Sequence, residues 1–153
     1  MTSMVRRVLI PAGLVVALGV PAALQSPLPD APARPLVEQV CGTCHGLDYL
    51  APSTRTAAQW RDTMAVMKTS GARASDEEWK TITEYFMANL AYLNVNKATV
   101  EDVRLVFSLP EKAAQTIVAE RDTQGGFKTL DDLKQLPDLD PKKLDAMKAR
   151  LSF

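Results

Sequence analysis

A chain of 153 residues can hold one ordinary domain or two small ones, and its 46% hydrophobic content is that of a globular protein. Its 18 basic and 18 acidic side chains cancel, which excludes a whole-molecule attraction to polyanions. With two cysteines and one histidine in all, a closed four-ligand zinc site would need an atypical carboxylate or a second molecule.

The first residues, "MTSMVRRVLIPAGLVVALGVPAALQS", carry Arg6 and Arg7, an apolar run from Val8 to Leu24, and small residues at Ala22 and Ala23. A charged start, an apolar middle and small residues at its end predict an export signal over 1–25. The apolar run is long for a cleaved signal, so an uncleaved membrane anchor is the alternative. Four prolines between Ser26 and Pro35 then predict an extended linker, 26–35, that cannot pack.

From 36 to 94 the pattern is helical. Pro35 stands at a first-turn position, and "CGTCHG" (Cys41 to Gly46) is expected on the short helix that follows. Trp60, Met64 and Met67 lie at i, i+4 and i+7 on a second helix, which Gly71 ends. Ser75 and Glu78 are spaced as a capping box for a third, whose apolar stripe is Trp79, Ile82, Phe86, Leu90 and Leu93.

From 95 to 153 the chain repeats itself at an offset of thirty residues. Thr99, Asp102, Val103, Leu109 and Lys112 match Thr129, Asp132, Leu133, Leu139 and Lys142 without a gap. Each copy reads as a short capped helix, a tight turn and a longer helix, and Gly125 and Gly126 join the two as a helix stop. This is the pattern of a tandem helix-hairpin-helix unit. Neither copy can bury its apolar face alone, so the two should pack together.

Two thiols three residues apart could serve a disulfide, a zinc ion or a haem. A thioredoxin-like pair normally follows a strand, and no strand pattern precedes Cys41. Cys-x-x-Cys-His in an exported chain is the c-type haem attachment signature. On a helix, i and i+3 share a face, so Cys41 and Cys44 can both reach one porphyrin, and His45 supplies an axial imidazole. His45 is the chain's one histidine, so the sixth ligand is a methionine, a rarer side chain or water. Met1 and Met4 fall in the signal and Met147 in the repeat, leaving Met64, Met67 and Met87. Met67 is favoured, because it stands in the last turn before Gly71, where the chain can bend over a ring.

"CGTCHGLDYL", then Trp60, Met67, Gly71-Ala72 and Trp79 ahead of "TEYFMANL", resembles small single-haem class I cytochromes c. The resemblance is nearest to the cytochrome subunits that partner periplasmic dehydrogenases, such as that of sulfite dehydrogenase. It covers about Leu36 to Asn94 and implies covalent haem c on Cys41 and Cys44, with His45 and Met67 as axial ligands. The stretch from Leu93 to Phe153 resembles ComEA-type helix-hairpin-helix domains, which commonly bind DNA through hairpin glycines whose amides meet a phosphate. Here the hairpins are Ser108-Leu109-Pro110 and Asp138-Leu139-Asp140, so one amide is missing and two carboxylates stand where a phosphate would sit. Between Val95 and Phe153 ten Lys or Arg face ten Asp or Glu, without a basic footprint. DNA binding is therefore not expected.

These observations predict an all-α protein, a monohaem cytochrome c domain followed by a tandem helix-hairpin-helix domain. Its function would be single-electron transport in a periplasm with a redox protein as partner, a dehydrogenase by resemblance, and without catalytic residues of its own. A DNA-handling surface protein and a haem sensor with an open sixth position are the alternatives.

Overall fold

The structure, a computed structural model, describes residues 27–51 and 54–153, and the predicted signal lies outside the described residues. The described chain is mostly helical. Its elements are α1 (Arg34–Cys41), α2 (Ala57–Thr69), α3 (Asp76–Leu90), α4 (Val100–Phe107), α5 (Glu111–Gln124), α6 (Leu130–Lys134) and α7 (Pro141–Met147). A short parallel pair, β1 (Leu93–Asn94) with β2 (Leu151–Ser152), joins the end of the first half to the end of the chain. No helix among the described residues is long and apolar enough to cross a membrane.

Caps fix where the helices start. Thr56 and Ser75 each form a reciprocal capping box, with Gln59 and Glu78 respectively. Hydrogen bonds from Ser75 to Glu78 hold that carboxyl below its usual range. The repeat is visible in the same chemistry: Thr99 caps α4 by accepting from Asp102 N–H, and Thr129 caps α6 by accepting from Asp132 N–H. Gly125 and Gly126 take positive φ, as the stop between copies requires. Asn96 pins that turn, donating to Phe127 O (2.8 Å) and accepting from Phe127 N–H (2.9 Å).

Two expectations need correction. The proline-rich stretch packs: Leu28 is 3% exposed within the core, and Tyr85 donates to Pro29 O at 2.7 Å. Prolines deny the backbone ladder partners, but they do not prevent a leucine from being buried. Only Cys41 of the Cys-Cys-His group lies on α1, which stops there, with Thr43 Oγ1 donating to Val40 O (2.9 Å) at its end. Cys44 and His45 follow in the turn. The second copy keeps the expected order of a short capped helix and a longer one, and is shorter than the first. Pro137 biases Leu136 away from helical backbone, so α6 ends early, and α7 gives way to a 3-10 turn (Lys148–Arg150) before β2.

The core does not divide at residue 94. One hydrophobic cluster runs from Leu28 and Val37 through Trp60, Trp79 and Phe86 to Val103, Ile117, Phe127, Leu133 and Leu144. Polar contacts cross the same boundary. Arg150 donates to Ala91 O (2.7 Å) and Ala88 O (2.8 Å), so a C-terminal side chain satisfies carbonyls at the end of α3. Arg61 of α2 pairs with Asp102 of α4 at 2.8 Å.

Candidate functional site

The turn after α1 faces an apolar cavity of about 180 Å³ enclosed by α2 and α3. Its walls include Cys41, His45, Tyr49, Trp60, Met64, Met67, Trp79 and Phe86. A neighbouring cavity of about 160 Å³ is bounded by Cys41, Cys44, His45 and Met67. Cys41, His45 and Met67 border both, so the structure brings all four predicted site residues to one apolar space. Burial pushes the Cys41 thiol above its ordinary range, whereas Cys44 is exposed.

The three candidate methionines separate. Met67, half-buried near the end of α2, borders both cavities. Met64 lies one turn back and is buried, with its sulfur 3.3 Å from Thr83 Oγ1, whose proton goes to Trp79 O at 2.7 Å. Met87 is fully buried in the core and lines neither cavity. Among the described residues, no three His, Cys, Asp or Glu side chains cluster as they would around a protein-only metal site. What the space offers is a soft donor set of thiols, thioethers and one imidazole.

Sequence reasoning missed the polar features of this space. Trp60 is fully buried beside the cavity, and its indole N–H has no hydrogen-bond partner among the described residues, which is uncommon for a buried donor. Arg55 stacks its guanidinium 5.0 Å from the Trp60 ring centroid and also borders the cavity. Tyr49 brings its hydroxyl to His45. Its i+4 offset from the histidine was the available signal. Nothing in a linear pattern marks an unpartnered indole.

The second distinctive place is where the two hairpins meet. Ser108 takes the left-handed conformation (φ 55°) at the first hairpin, a position that favours glycine. With Leu109, Asp138, Asp140 and Lys143 it lines a groove of about 190 Å³. Asp140 is engaged as the cap of α7, accepting from Lys142 N–H at 2.9 Å. Lys143 donates to Phe107 O at 2.6 Å, tying one copy to the other, and burial lowers its basicity. The groove therefore presents two carboxylates, and its one ammonium already has a partner.

Residues 89–152 match the family described as the helix-hairpin-helix motif. No curated protein and no solved structure matches the chain.

Proposed function

We propose that the chain is an exported single-haem c-type electron carrier, with haem c attached through Cys41 and Cys44 and with His45 and Met67 as axial ligands. The observation that carries this is the apolar space bordered by the Cys-x-x-Cys-His turn on one side and Met67 on the other. The residues fit the group. Aromatic and aliphatic walls suit a porphyrin, and imidazole and thioether suit its iron. Arg55, which stacks on the Trp60 ring and borders the cavity, brings a positive charge to the side of an anionic substituent.

When bound, haem supplies a one-electron ferric/ferrous couple, and Met/His ligation suits electron transfer rather than gas or peroxide chemistry. The chain's own residues hold the group and keep water from it. Trp60, Trp79 and Phe86 form the dry wall, and Met67, unlike Met64, borders both cavities. Export to a bacterial periplasm follows from the N-terminal segment and from the maturation that haem attachment needs. The partner is a redox protein, and a periplasmic dehydrogenase is the one that the resemblance implies.

The test is an optical spectrum of the protein matured in a periplasm, beside Met67→Ala. The reading expects a ferrous c-type spectrum and a ferric sulfur-to-iron charge-transfer band that the substitution abolishes. A folded protein without covalent haem refutes it. A band that survives assigns the ligand to Met64 or Met87. A high-spin wild type favours the sensor with an open sixth position.

The family match supports a second reading, nucleic-acid binding by the C-terminal half. Asp138 and Asp140 at the hairpins and the balanced charge of 95–153 oppose it. Because the halves share a core, the full chain is the form to test. Gel retardation at low salt, where phosphate contacts are strongest, would support this reading, and its absence there would end it.

A further inference from the structure

We propose that Lys68 is a positioning residue that acts through Trp79: the ring holds its ammonium against the cavity wall, where it raises the reduction potential of a bound haem. This rests on the electron-carrier reading, since only a group that changes charge feels such a field differently in its two states.

Trp79 belongs to two surfaces at once. It walls the apolar cavity and is only 6% exposed, yet it also lines an outer groove together with Lys68, Asp76, Lys80, Glu84, Glu101 and Arg104. Lys68 Nζ stands over the Trp79 ring, 4.9 Å from its centroid, where the negative face of the ring attracts a cation. Lys68 borders the groove and not the cavity, so its charge reaches the wall from the outer side. The other tryptophan of the wall has the same arrangement, with Arg55 5.0 Å from the Trp60 centroid. Arg55 itself borders the cavity, where an anionic substituent of the bound group offsets its charge; Lys68 meets no such substituent.

Ferric haem carries one positive charge more than ferrous haem, so a cation held nearby disfavours the ferric state. An ammonium loose in solvent is screened by water and salt, whereas one seated on a buried ring acts through an apolar wall that screens less. The other charges of the groove do not replace it. Asp76, Glu84 and Glu101 outnumber Lys80 and Arg104, and Arg104 is paired with Glu101 at 2.7 Å. Without Lys68 the groove is left with an excess of carboxylate, which moves the potential in the same direction. Lys68 also stands in the last turn of α2, where a cation meets the negative end of the helix dipole. That role bears on stability and leaves the potential where it is.

The experiment compares full-length, haem-loaded wild type with Lys68→Gln, Lys68→Arg and Lys80→Gln. It measures the reduction potential at low and high salt, together with the ferric sulfur-to-iron band. The expected result is a lower potential in Lys68→Gln with the band intact, a gap that narrows as salt rises, and a potential near wild type in Lys68→Arg. Lys80→Gln, which removes a charge of the same groove, should shift the potential less. An unchanged potential in Lys68→Gln overturns the proposal, and so does an equal drop in Lys80→Gln. A drop that comes with loss of the band traces to Met67, the preceding residue, and overturns it too. A wild type without covalent haem fails earlier, in its optical spectrum, and removes the electron-carrier reading together with this one.

Discussion

Arg150→Met tests whether the helix-hairpin-helix half holds up the cavity. The substitution keeps most of the apolar stem and removes the two hydrogen bonds to Ala91 O and Ala88 O. Charge-assisted bonds are worth about 1.5–3 kcal/mol each, and the carbonyls left behind lose their partner near the end of α3. Burial disfavours the guanidinium's charge and lowers its basicity, which offsets part of that gain. The net expected loss is about 2–3 kcal/mol, roughly 5–10 °C in thermal midpoint for a chain of this size. The assay follows unfolding by tryptophan fluorescence and by far-ultraviolet circular dichroism. Both tryptophans, Trp60 and Trp79, lie in the first half, whereas Arg150 lies in the second. A shared core requires the fluorescence midpoint to fall with the circular dichroism midpoint. A fluorescence midpoint that stays in place would refute the coupling and divide the chain into two independent units.

Three further outcomes follow from the same contacts. Leu28→Ala should cost about 2–4 kcal/mol by denaturant unfolding, because it empties a buried site; a loss under about 0.5 kcal/mol would restore the proline-rich stretch to a tether. Burial pushes the Tyr85 phenol from 10.0 up to about 12, so the unfolded chain ionises first. Stability should therefore hold below pH 10 and fall as pH rises through that window, and Tyr85→Phe should flatten this slope in a pH series of unfolding curves. Trp60→Phe should cost the haem-loaded protein about 1 kcal/mol more than the haem-free protein if the indole N–H meets the bound group; equal midpoint losses in the two forms would deny it that role.

Much of this architecture was legible because it rests on local rules. The capping box of Ser75 with Glu78, the i, i+4, i+7 stripe through Trp60 and Met64, and the thirty-residue offset each mark an element within a few residues of its observed bounds. Cys41, Cys44, His45 and Met67 border one cavity, and three of the four lie within five residues of one another in the sequence. What escaped was tertiary. Leu28 is buried where Tyr85, 56 residues away from Pro29, ties the stretch to α3, and the clamp from Arg150 to Ala88 spans 62 residues. The end of α1 at Cys41 escaped for another reason: Thr43 and the flanking glycines compete with the helix, and spacing alone cannot weigh that competition.

The same contacts suggest why a hairpin unit with acidic turns accompanies such a cavity. A phosphate-binding unit needs hairpin amides free and the surrounding charge positive, and here Pro110 lacks an amide proton while Asp138 and Asp140 line the groove. Its inward face, by contrast, is fully used. Val103, Val106 and Phe107 belong to the common core, β2 pairs with β1, and Arg150 closes the end of α3. Trp79 and Phe86, which wall the cavity, belong to that helix. A small domain buries a smaller share of its surface than a large one, so three short helices alone would hold the cavity weakly. Packing the hairpins against α3 enlarges the core around the site without adding a residue to its lining, and that role tolerates carboxylates where a phosphate-binding role would not.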